Sequence, residues 1–215
     1  MQVCGVTRTG KGKWVIEQLR KKRASLVWDL KADSTEYPCN WRARNIRALA
    51  QLLATDKNPG MVCFSGAERD ISEFCNIALL FAEIHGINGA IAMDETSDIT
   101  GSGKALGSYG KLIRTGLSRG ADIYGMCQRA AESDKTTIAN ASLFHFSKLG
   151  TPADRKFMAD TTGVPLAEIE KLRSDFEKNI FDCIDCEPGH WWQKSQLQFR
   201  NGKAVFKTIG TKTAL

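Results

Sequence analysis

Met1-Gln2-Val3-Cys4-Gly5-Val6-Thr7-Arg8-Thr9-Gly10-Lys11-Gly12-Lys13-Trp14 is the stretch on which the fold turns. A short apolar run meets a glycine-rich turn that ends in lysine, and a helical pattern follows from Val15-Ile16 to Leu19. The order is strand, phosphate-cradling loop, helix. Backbone N–H groups of such a loop, together with the helix N-terminus, bind a polyphosphate, and a lysine at its end reaches the terminal phosphates.

Two frames fit the pattern G-x-x-x-x-G-K-[ST]. Taking Gly12-Lys13 as the final pair puts Thr7 at the first glycine and Trp14 at the magnesium-binding hydroxyl. Taking Gly5 with Gly10-Lys11 keeps both glycines but puts Gly12 at the hydroxyl. The first frame is preferred here, because it starts the helix at Lys13 and leaves small residues beside the phosphate. It makes Thr9, Gly10, Lys11, Gly12, Lys13 and Trp14 the candidate nucleotide-binding residues. A lysine-rich turn between a strand and a helix is the plainer alternative.

The 215 residues, 42% hydrophobic and 25% charged, have the length and balance of one soluble globular domain with a sizeable core. No apolar run is as long as a membrane span, and Met1-Gln2-Val3 opens no secretory signal. Cysteines at 4, 39, 63, 75, 127, 183 and 186 are odd in number, and Cys4, Cys63 and Cys127 fall in expected buried strands. That usage fits reduced thiols, not a disulfide framework. The net charge of +6 is concentrated in Arg20-Lys21-Lys22-Arg23 and in Arg42, Arg44 and Arg47. This suits contact with a polyanion such as nucleic acid, although cations that end a helix are also favoured by its dipole.

Apolar strands are expected at 25–30, 61–64, 89–93, 121–127 and 142–146, and helices at 41–54, 70–85 and 111–117. The alternation implies a mainly parallel sheet covered on both faces. Beyond Gly150 the pattern changes to helices at 152–160 and 165–179, then a hairpin whose strands flank Asn201-Gly202. Residues 1–150 are therefore read as the core, and 151–215 as a helical extension and C-terminal β-hairpin packed on it.

Asp94-Glu95 closes the strand at 89–93, at the sheet edge where open α/β folds bind ligands. One carboxylate can hold magnesium and the other can orient the attacking water. Gln128 ends the next strand and is placed to sense a γ-phosphate, and Arg119, with Arg114 as its rival, can act as a finger in a neighbouring subunit's site.

Taken together, Thr9 to Lys13, Asp94-Glu95, Leu117 to Gly120, Cys127 to Arg129 and the segment Phe146 to Leu172 resemble the FtsK–HerA superfamily of P-loop ATPases. Size and order resemble the genome-packaging ATPases of tailless, membrane-containing double-stranded DNA viruses. The resemblance implies an α/β, additional-strand (RecA-like) P-loop NTPase fold with a central, mainly parallel sheet, residues 61–64 filling the added strand. It implies ATP and magnesium as cofactors, a homo-oligomeric ring of five or six subunits, and double-stranded DNA threaded through it. A viral portal or membrane protein is the implied partner, at the packaging vertex of the virion or in host cytoplasm. Lys13 would hold the β- and γ-phosphates and Asp94 magnesium. Glu95 would activate water, Gln128 would sense phosphate, and Arg119 would act in trans. Trp14 departs from the family's Ser or Thr and puts hydrolysis in question.

Two other functions compete. One is a phage assembly or export ATPase of the zonula-occludens-toxin-like type. The other is a nucleotide-binding, DNA-binding subunit that does not hydrolyse ATP. Cys183, Cys186 and His190 could ligate zinc, but partly buried thiols beside Trp191 and Trp192 are the simpler reading. Trp28 and Trp41 could stack on bases, although core packing is the commoner use.

Overall fold

Ala24, Leu26 and Trp28 join one buried cluster while Val27 between them joins another, so this strand is covered on both faces. The computed structural model describes residues 1–29, 36–101, 103–105, 107–200, 203–210 and 212–215. Its elements begin with β1 (Gln2–Cys4), α1 (Lys11–Leu19), β2 (Ala24–Trp28), β3 (Trp41–Ala43), α2 (Ile46–Thr55) and β4 (Gly60–Phe64). Next come α3 (Ile71–His85), β5 (Gly89–Met93), α4 (Thr96–Ile99), α5 (Gly107–Lys111), β6 (Asp122–Cys127), α6 (Lys135–Ala139) and β7 (Phe144–Ser147). The chain finishes with α7 (Pro152–Thr162), α8 (Leu166–Glu170), β8 (Ser174–Asp175), β9 (Ile180–Glu187), β10 (Trp191–Arg200), β11 (Lys203–Thr208) and β12 (Thr213–Ala214).

Strands β7-β1-β6-β5-β2-β4-β3 lie side by side and run parallel. Strand β9 adds antiparallel to the free edge of β7, and β10 and β11 continue the meander. Residues beyond 150 thus extend the same sheet.

The strand between β1, which carries the loop, and β5, which ends at Asp94-Glu95, is β6. This corrects the expectation for residues 61–64: β4 lies on the far side of β2, next to β3. The order of strands in a sheet is set by three-dimensional crossovers, which local patterning does not report.

Local chemistry explains most element ends. Asn45 accepts from the Ala48 N–H at 2.9 Å and starts α2 there, so residues 41–43 are left to form β3. Thr151 caps α7, Pro152 opens it, and Gly163 at φ 80° ends it. The expected helix at 165–179 stops at Glu170, because the chain turns into β8 and pairs with β9. Helix α5 continues through a wider π turn, Leu112–Gly116, to Arg119.

Asp182, fully buried on β9, fixes that turn. It accepts from Arg173 Nε at 2.9 Å, from the Arg173 N–H at 3.1 Å and from Gln196 Nε2 at 2.9 Å. Burial alone would raise its pKa, but the bonds from Arg173 and Gln196 hold the carboxyl below its usual range. A folded pKa below the unfolded one adds stability that is complete above the ordinary aspartate range, about 4, and is lost as pH falls through the folded value. Melting temperature followed from pH 7 downwards should therefore fall at the acid end, and Asp182→Asn, less stable at pH 7, should show a shallower fall.

Candidate nucleotide site

Parallel strands β1, β6, β5 and β2 all release their chains at one edge of the sheet, where open α/β folds bind ligands. A cleft of about 220 Å³ lies there, lined by Val6–Lys13, Glu36, Asp94, Glu95, Met126, Phe176, Phe181 and Phe199.

The loop settles the frame. Helix α1 begins at Lys11, not at Lys13, with Gly10 at φ 92° as its N-cap. A side chain on Gly10 would also strike Leu197 of β10, its Cβ lying 2.4 Å from Leu197 Cδ2. Gly5 has φ 148°, and a Cβ there would meet Ser147 Oγ at 2.0 Å. Both glycines are required by backbone conformation and close approach. Lys11 Nζ donates to the Gly5 carbonyl at 2.6 Å, folding the lysine back over the loop. The geometry is therefore that of Gly5 to Gly10-Lys11, and the preference for Gly12-Lys13 is corrected. Lys13 still lines the cleft, one half-turn further along α1.

Trp14 is also corrected. It is 6% exposed, stacks on His145 with ring centroids 4.1 Å apart, and meets Tyr124 edge-on. Its indole belongs to the core under the sheet and is not among the cleft residues. Thr9 is buried as well; its hydroxyl donates to the Val6 carbonyl at 2.7 Å and meets Ser147 Oγ at 2.5 Å. It shapes the loop from beneath.

Asp94, 5% exposed, and Glu95 enter the cleft from the end of β5. Glu95 adopts φ 50°, a left-handed conformation that is strained for a residue with a side chain and is shared by Arg8 in the loop at φ 62°. Gln128 bridges the two sides. Its amide Nε2 donates to Glu95 Oε1 at 2.7 Å, and its Oε1 accepts from the Thr7 hydroxyl at 2.9 Å. One side chain thus ties the phosphate loop to the acidic strand end.

Glu36 and the phenylalanines were missed by sequence reasoning. Glu36 lies in the cleft just after residues 30–35, outside any element. Beside it Tyr37 is buried, donates to Met126 Sδ at 3.3 Å, and has its pKa pushed well up by burial and then by the Asp94 and Glu36 carboxylates. Phe176, at the turn pinned by Asp182, is 58% exposed and packs edge-on against the buried Phe181, which packs against Phe199. An exposed phenylalanine between Asp175 and Glu177 was the available signal.

Arg119 lies elsewhere. It precedes β6, at the opposite edge of the sheet, where it pairs with Glu83 and reaches the Leu79 carbonyl. Arg114 is exposed on the π turn. Cys183 and Cys186 sit three apart on β9, so they face opposite sides, one near the Ser195 carbonyl and the other near that of Thr162. Among the described residues no three His, Cys, Asp or Glu side chains are grouped to hold a metal by themselves. Asp94 with Glu36 fits magnesium, which takes one or two carboxylates and completes its shell with phosphate oxygens and water. Also among the described residues, no helix is long and apolar enough to cross a membrane.

No protein-family model matches the chain. Protein P9 of Pseudoalteromonas phage PM2 is 27% identical over 186 residues, covering 83% of this chain and 81% of that protein. The genome-packaging NTPase B204 of Sulfolobus turreted icosahedral virus 2, in complex with sulfate, superposes with a TM-score of 0.66 at 10% identity, over 97% of this chain and 94% of B204. B204 of Sulfolobus turreted icosahedral virus, a DNA-packaging ATPase, gives a TM-score of 0.62 at 13% identity, over 98% and 97% of the two chains. The chain has the additional-strand P-loop ATPase fold and superposes over nearly all of its length on these two B204 structures.

Proposed function

We propose that this protein is an ATPase that drives double-stranded DNA into a preformed viral capsid. The observation that carries this is the Thr7–Gln128–Glu95 chain of hydrogen bonds. It links the phosphate loop, a sensor amide and the candidate water-activating carboxylate, which is the coupling a hydrolytic motor needs. In this reading Lys11 holds the β- and γ-phosphates, Asp94 takes magnesium, Glu95 orients the attacking water and Gln128 senses the γ-phosphate. Magnesium, when bound, neutralises charge on the phosphates.

Subunits form a homo-oligomeric ring of five or six. Arg119, at the sheet edge away from its own cleft, serves the nucleotide of a neighbour, with Arg114 as the alternative. The basic run Arg20 to Arg23 and the net charge of +6 favour DNA as the polymer moved. A viral portal or membrane protein receives the ring at the packaging vertex, and assembly takes place in host cytoplasm. A non-hydrolysing nucleotide-binding subunit is the second reading, favoured by Gly12 standing where a P-loop hydroxyl belongs.

Magnesium-dependent ATP hydrolysis, measured with and without double-stranded DNA, separates the two. The motor reading expects turnover that DNA stimulates and that Glu95→Gln lowers by roughly 10²–10⁴-fold with nucleotide binding kept. Binding without turnover, indifferent to Glu95→Gln, would favour the second reading. Phe176 gives the nucleotide base an aromatic platform at the cleft mouth. Phe176→Ala should weaken ATP binding roughly threefold to tenfold, equivalent to ~0.5–1.5 kcal/mol of aromatic stacking, and leave the melting temperature of the free protein nearly unchanged.

A further inference from the structure

We propose that Glu36 replaces the hydroxyl that the phosphate loop lacks at Gly12, and would hold magnesium together with Asp94 when nucleotide is bound. The inference rests on the nucleotide-site reading above and assigns a residue that the loop pattern does not contain.

Gly12 directly follows Lys11, at the position where a P-loop places Ser or Thr on magnesium. A Cβ built on Gly12 would lie 1.9 Å from Glu36 Oε1 and 2.9 Å from its Cδ. A carboxylate oxygen from another part of the chain therefore fills the space into which the missing hydroxyl would project. Any side chain at position 12 would expel it, so the glycine and the glutamate are complementary.

Glu36 is also held where it is. Its neighbour Tyr37 is 2% exposed and anchored to Met126, which lines the same cleft. The Glu36 and Asp94 carboxylates face one space from different strands, Glu36 after β2 and Asp94 after β5.

The chemistry suits a hard cation. Magnesium binds oxygen ligands, and a carboxylate is a stronger donor than a neutral hydroxyl. Two carboxylates balance its charge, and phosphate oxygens and water complete the octahedron. The exchange also removes the obstacle that the sequence posed for hydrolysis, since the loop's missing ligand is supplied from elsewhere in the chain.

Equilibrium binding of a non-hydrolysable ATP analogue, titrated with magnesium from a chelator baseline, tests this without any turnover. Glu36→Ala should raise the half-saturating magnesium concentration about tenfold or more, while analogue binding in chelator stays the same or tightens. The double variant Gly12→Ser with Glu36→Ala, which restores the hydroxyl in the space the glutamate vacates, should bring the magnesium requirement back towards that of the unaltered protein. Melting curves without nucleotide keep folding separate from binding. An unchanged magnesium requirement in Glu36→Ala overturns the assignment, with Glu36 then serving only to balance nearby lysines. A loss that Gly12→Ser does not repair overturns it too. If the unaltered protein binds no analogue at all, the nucleotide-site reading fails first and this inference falls with it.

Discussion

Backbone pairing of the three-residue strand β1 on both sides is the constraint on which the site depends. Gln2, Val3 and Cys4 pair in parallel with Gly125, Met126 and Cys127 on one side and with Phe144, His145 and Phe146 on the other. All three are buried. The phosphate loop therefore leaves the sheet from a fixed point, and it closes on itself through Lys11 and the Gly5 carbonyl. Close approach does the rest, with Ser147 of β7 over Gly5 and Leu197 of β10 over Gly10. Donors held this way need little reorganisation when a phosphate arrives.

The same pairing sets how the site is assembled from distant sequence. Residues 5–13 provide the cradle, 94–95 the acids, 128 the bridging amide, and 176–199 the aromatic mouth. The C-terminal meander is thus part of the cleft, because β9 completes the edge of β7 and carries β10 over the loop. Asp182 and Asp154 play matching roles in this joining. The first pins the turn that bears Phe176. The second, fully buried on α7, takes Arg129 Nε and the Ala131 N–H, each at 3.0 Å, just after Gln128.

Local sequence carried the strands and the two long helices well, since Gly89–Met93 and Ile71–His85 are set by apolar runs and by glycine at their ends. Asp94, Glu95 and Gln128 were legible for the same reason: each closes a buried strand at the ligand edge. The lysine frame was not, because glycines beside two lysines allow both readings until the positive φ of Gly10 fixes where the helix starts. Trp14 was misread with it; its partners His145 and Tyr124 come from β7 and β6, far away in sequence. The helix expected at 165–179 yielded to tertiary pairing with β9, which overrides local propensity. Glu36 and Phe176 sit in irregular segments, so no periodicity marked them, and only the fold brings them to the loop.

The frame of the phosphate loop is the central claim, and one comparison tests it most directly. ATP affinity should be measured at equilibrium for Lys11→Ala and Lys13→Ala beside the unaltered protein. Removing the lysine that meets the phosphates deletes a charge-assisted contact of about 1.5–3 kcal/mol, so Lys11→Ala should weaken binding by roughly 10- to 150-fold. Lys13→Ala, on the first turn of the helix, should cost no more than a few-fold. The reverse order, with Lys13 carrying the larger loss, would contradict the account and return the site to the other frame.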